Sequence, residues 1–116
     1  MDRADEMSDV NKPNTRQTVK DKMDTIKRNL RASYHTLKVK CDQAERQVSI
    51  AKELKADIHM SRMRDLFSKC EATMSEIDDN ISKLFSLGEE EESETVSTYR
   101  DWEKVFNKTA EAVKEA

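Results

Sequence analysis

Between Asn14 and Leu87 the chain has neither glycine nor proline; its single Pro and single Gly stand at positions 13 and 88. Sandwiches and barrels turn often and need those residues, so this absence excludes them. Aromatic residues make up 5% of the 116 positions, too few for a strand-rich core. There are only two cysteines, Cys41 and Cys70, widely spaced, which excludes a zinc cluster or a disulfide scaffold and leaves two buried thiols. No apolar run approaches the ~18 residues of a membrane span. The opening MDRADEMSDV has no basic stretch leading into an apolar one, and Asp2 excludes myristoylation. The expectation is a chain that does not insert into membranes and works inside the cell, in the cytoplasm with a nuclear place left open.

What the chain has is charge, 39% of residues, and an apolar pattern at steps of three and four. Mean hydropathy of −0.94 would also suit a disordered chain, but regular periodicity argues against disorder from residue 15 onward. Residues 1–14 read as a flexible acidic tail ending at Pro13-Asn14, with Thr15 as an N-cap. A first seam follows: Val19, Met23, Ile26, Leu30, Tyr34, Leu37, Cys41, Ala44, Val48, Ala51. A second runs Met60, Met63, Phe67, Cys70, Met74, Ile77, Ile81, Leu84 and stops at Gly88, which can close a helix in the left-handed conformation. The acidic run Glu89 to Glu92 then precedes a third face of Val96, Tyr99, Trp102, Phe106, Ala110 and Val113.

The reading is an all-α, three-helix coiled-coil-like bundle over 15–116. It has two long antiparallel helices, about 15–55 and 58–87, and a shorter third, about 92–114, packed near their far end. Asp57 and Ser61 are the candidate N-caps of the second helix. No strong breaker lies between 53 and 61, so one continuous helix of ~70 residues is also allowed. With a turn near residue 56, antiparallel pairing places Cys41 beside Glu71, within a turn of Cys70. The thiols could then cross-link if their Cα atoms come within ~7 Å.

Contacts rather than chemistry are the expected product. Leu30, Leu37, Val48, Phe67, Met74, Ile77, Ile81, Leu84, Tyr99, Trp102 and Phe106 form the seam, as core or as interface to a protein partner or a second copy. Met60, Met63 and Met74 are core fillers, or an adaptable partner groove. Residues 12–64 hold fourteen Lys/Arg and six Asp/Glu, residues 65–116 six and fourteen. Such a dipole selects antiparallel pairing. Alternatively Lys20, Lys22, Lys27, Arg28, Arg31, Lys38 and Lys40 form a basic face for nucleic acid or an acidic surface, although no nucleic-acid motif accompanies them. His35 and His59 lack ligand spacing and are expected to be exposed, and the glutamate run lacks the pattern of a calcium loop. No catalytic constellation, metal set or cofactor motif is present, so an enzyme is not expected.

From Met63 onward the pattern MRDLFSKCEATMSEIDDNISKLFSLGEEEESETVSTYRDWEKVFNKTAEAVKEA resembles the helical, Gag-like N-terminal region of Bel/Pao-type retrotransposon polyproteins. The likeness lies in the basic first helix, the Leu and Phe seams of the second, the acidic turn, and the stretch Tyr99-Arg100-Asp101-Trp102-Glu103. It covers half to three quarters of the chain. The resemblance implies a structural role in self-assembly, and the lack of a zinc knuckle leaves nucleic-acid packaging without support.

Overall fold

The computed structural model describes residues 11–116, with side chains from Thr18 onward. Of the flexible tail expected over residues 1–14, residues 1–10 lie outside the described residues, and 11–14 are helical instead. Three helices follow in order: α1 (Asn11–Leu54), α2 (Asp57–Ser86) and α3 (Glu94–Glu115), with no strand among the described residues. They form an all-α bundle 70 × 28 × 16 Å in extent. Helix α1 is already formed at Asn11, ahead of the expected cap Thr15.

The two seams meet within the chain. Leu30, Leu37, Cys41 and Ala44 of α1 and Cys70, Ile77, Ile81 and Leu84 of α2 are at most 4% exposed and make one continuous core. A 3.5-residue repeat keeps each apolar strip facing its neighbour, which is why the pairing persists over so many turns. A smaller cluster of Val48, Ala51 and Met63 closes the hairpin end, with half-buried Met60 beside it. Met63 and Met74 are buried and fill core.

The turn between α1 and α2 is made without a breaker residue. Lys55 takes φ 52°, and its N–H donates to the Ala51 carbonyl at 2.9 Å, the single bond of a left-handed helix cap. A lysine there is strained by about 1 kcal/mol or more, and burial of the two seams outweighs it. Neither expected cap serves α2. Its N-cap is Ala56, which offers no side-chain acceptor, and Asp57 is instead the first helical residue, where its charge suits the helix dipole. Gly88 does close α2, at φ 107°, with Glu89 N–H donating to Leu84 O at 2.9 Å and Gly88 N–H to Phe85 O at 3.1 Å, the paired bonds of a Schellman motif. Helix α3 starts behind Ser93, whose hydroxyl accepts from Val96 N–H.

Helix α3 does not sit at the far end of the hairpin, as the sequence reading placed it. It lies along the α1–α2 groove for its whole length, from Val96 near the Gly88 turn to Val113 and Ala116 against Val48, Ala51 and Met63. Two aromatic pairs hold it. Trp102 stacks on Tyr34 of α1 (centroids 5.4 Å, 7° between planes) and Phe106 on Phe67 of α2 (5.6 Å, 18°), so α3 grips both partners.

Among the described residues, the Tyr34 hydroxyl is the one buried side-chain polar atom without a hydrogen-bond partner, and burial pushes its pKa up to about 12. Removing an unpartnered hydroxyl while keeping the stacked ring relieves a desolvation penalty, so Tyr34→Phe should raise stability by about 1 kcal/mol in urea unfolding. Lys55→Gly should likewise raise the urea midpoint, by roughly 1 kcal/mol in free energy, since glycine adopts the left-handed turn without strain.

Candidate interaction surface

The seam residues first expected as core or interface are consumed inside the chain. Leu30, Leu37, Val48, Met74, Ile77, Ile81 and Leu84 are buried, and Phe67, Tyr99, Trp102 and Phe106 are half-buried along α3. Association through the α1 and α2 seams, as the sequence reading placed it, is therefore not open in this fold, because each seam already covers the other. Surface for another molecule has to come from what the bundle leaves outside.

Three buried polar residues escaped an apolar reading of the seams: Gln47, Thr73 and Thr109. Each is bonded. Gln47 Nε2 lies 3.3 Å from His59 O and 3.4 Å from His59 Nδ1, which makes His59 half-buried rather than exposed. The Thr73 hydroxyl donates to Lys69 O at 3.1 Å and accepts from Lys40 Nζ at 3.3 Å. Thr109 Oγ1 donates to Glu45 Oε2 at 2.6 Å, joining α3 to α1. A signal for Thr109 was present in the spacing: 102, 106, 109, 113 alternates steps of four and three, whereas the Ala110 chosen on apolarity breaks that alternation and is only half-buried.

The basic residues divide between two edges of α1. Lys20, Lys27, Arg31 and Lys38 follow one another at steps of seven, four and seven and so share a stripe. Lys27 and Arg31 there line a hollow with Glu94, Thr95 and Thr98 of α3. Lys22 and Lys40 face α2 instead, and Arg28 bonds the Thr25 hydroxyl at 3.3 Å. Acids neutralise two members of the stripe: Lys27 lies 3.3 Å from Glu89 and Lys38 lies 3.1 Å from Asp42. The single basic face of the sequence reading is thus split in two and partly paired.

The Lys27–Glu89 contact also fixes how far α2 reaches. The turn stands level with Lys27, and α1 continues past it as an arm toward Asn11. At its root lies an open trough of about 610 Å³ lined by Thr18, Asp21, Lys22, Thr25 and Ile26 of α1 with Lys83, Ser86 and Leu87. Val19 and Met23 continue the seam, both half-buried, with Met23 still packed against the hairpin core. The remaining exposed apolar residues, Leu54 and Ile58 at the hairpin tip, Val39, Phe85 and Val105, are scattered.

Among the described residues no group of three or more His, Cys, Asp or Glu side chains is placed to hold a metal ion, and no helix is long and apolar enough to cross a membrane.

Burial works against ionised Glu89, yet hydrogen bonds from Ser93 and Lys27 and the Lys27 charge hold its carboxyl below the usual range. A depressed carboxylate stabilises the fold fully above its unfolded pKa and loses that contribution as pH falls through the folded one. Acid unfolding followed by circular dichroism should therefore show less loss of stability below about pH 4.5 in Glu89→Gln than in the parent. The variant should be the less stable of the two at neutral pH. The chain matches no protein-family model, no curated protein and no solved structure.

Proposed function

We propose that this protein is a non-enzymatic helical assembly module, a scaffold or adaptor of the cytoplasm whose partner is a second copy of the chain. The observation that carries the reading is the α1 arm: the seam continues past the Gly88 turn to Val19, which is left half-buried beside the open trough. An uncovered helix seam is completed by another helix.

Charge selects that helix. Residues 11–22 contain four Lys/Arg and one Asp, while the turn at the base of the arm carries Glu89 to Glu92. When two copies meet antiparallel about a two-fold axis, each arm lies in the trough at the other's root, its basic residues beside the partner's glutamates. The contact is self-complementary and closed, as two-fold interfaces are. In the Gag-like setting that the Bel/Pao resemblance implies, such a pair is one building contact of a larger assembly. Nucleic-acid binding through the Lys20–Lys38 stripe is the weaker alternative, since Glu89 and Asp42 already neutralise two of its four cations.

Light scattering coupled to size exclusion tests this over a range of protein concentrations. The parent should approach twice its 13.5 kDa chain mass as concentration rises. The variant Val19→Asp should stay at the single-chain mass with unchanged helical circular dichroism, because a seam buried between two copies does not accept unpaired charge. A parent that remains monomeric at every concentration would sink the reading. Association that vanishes between low and moderate salt only when nucleic acid is present would favour the basic stripe instead.

A further inference from the structure

The most unusual chemistry inside the bundle lies at its middle, where α1, α2 and α3 meet. Cys41 and Cys70 occupy facing seam positions, 1% and 0% exposed. The hairpin register is set on both sides of them by Lys40 on Thr73 and by Gln47 on His59. Both side chains belong to one buried cluster and lie near enough to perturb each other's ionisation. Thr109 of α3, itself fully buried, lies against Cys41 and donates its hydroxyl proton to Glu45 one turn along α1. Two neighbouring thiols within a helical core have two fates: they remain a packing pair, or an oxidant joins them.

We propose that Cys41 and Cys70 are an oxidisable pair that a peroxide-class oxidant converts to an intrachain disulfide, stapling α1 to α2 beneath α3, with α3 controlling access to the sulfurs. The partners take different roles. The neighbouring Cys70 thiol favours ionised Cys41, with burial opposing, and Cys41 together with burial holds Cys70 protonated. Cys41 is thus the nucleophile. Its thiolate attacks one peroxide oxygen: an S–O bond forms, the O–O bond breaks, and the leaving oxygen departs as hydroxide and takes up a proton. The sulfur is oxidised to a sulfenic acid as the peroxide is reduced. The Cys70 sulfur then attacks the Cys41 sulfur. The S–S bond forms, the S–O bond breaks, and the expelled hydroxide leaves as water with the Cys70 proton. Two thiols and one hydrogen peroxide become one disulfide and two waters.

Neither sulfur is open to solvent, so the first step waits on α3 lifting away. The stacks of Trp102 on Tyr34 and Phe106 on Phe67, with the Thr109–Glu45 bond, hold that lid down. Once formed, the disulfide ties the two long helices at mid-length, and they can no longer separate or exchange between chains.

The test treats the full chain with hydrogen peroxide under native conditions, denatures it, caps free thiols with iodoacetamide and maps the peptides by mass spectrometry. The expected result is a chain lighter by two hydrogens, neither cysteine capped, and one Cys41–Cys70 linked peptide within a single chain. Trp102→Ala should form the link several-fold faster with its helical circular dichroism retained. If that variant loses its helicity, Phe106→Ala, which removes the other ring stack, takes its place. Full capping of both thiols, oxygen adducts on Cys41 without a link, or disulfides found only between chains would each overturn the proposal. An unchanged rate in the folded variant would overturn the part given to α3.

Discussion

Everything in this structure depends on two apolar strips covering each other along a hairpin. Each strip follows a repeat of about 3.5 residues, so it stays on one side of its helix and has to be covered over many turns or not at all. Leu37 and Ile77, both fully buried, stand near the centre of that contact. The strain of Lys55 at φ 52°, the uncapped start of α2 at Ala56 and the unpartnered Tyr34 hydroxyl are all local costs the seam contact tolerates. Each is of order 1 kcal/mol, against burial of more than a dozen apolar side chains at roughly 1.5–3 kcal/mol apiece before chain entropy is counted.

Two helices leave a strip of this width only half covered, and α3 supplies the rest. Its grip is aromatic and polar rather than aliphatic: two ring stacks, the Thr109–Glu45 bond, and Tyr99 donating to Asp78 at 2.7 Å. Burial, then the neighbouring carboxylates Asp78 and Glu103, push the Tyr99 hydroxyl well above its ordinary pKa, so it stays a donor. A lid held by a few specific contacts is easier to lift than a hairpin held by a continuous seam. That difference places the accessible states of this protein at α3, and leaves the α1–α2 hairpin as the rigid frame.

Much of the architecture was legible in the order of residues, and what was not failed for identifiable reasons. Gly88 announced the end of α2 because glycine alone takes φ 107° without strain. The opposite turn announced nothing: Lys55 is left-handed because the two seams demand a reversal there, not because lysine prefers it. Gln47, Thr73 and Thr109 are buried by geometry and made tolerable by hydrogen bonds to residues on other turns and helices, information that an apolar count cannot hold. The basic residues of α1 looked like one surface along the chain and are two, because α2 and α3 border that helix on different sides.

By itself the amino-acid sequence determined an all-helical chain, the stop at Gly88, the two seams and the opposition of charge between the halves of the chain, and left the break between the first two helices open. These follow from local spacing and from the one glycine, and local spacing survives in any tertiary arrangement. Only the tertiary structure decided that the seams satisfy each other within one chain, that α3 runs the length of the groove, that Cys41 and Cys70 share one buried cluster, and that α1 extends past the Gly88 turn. Those outcomes depend on the register between helices far apart in the chain. A turn displaced by one helical step would carry the same residues to different neighbours.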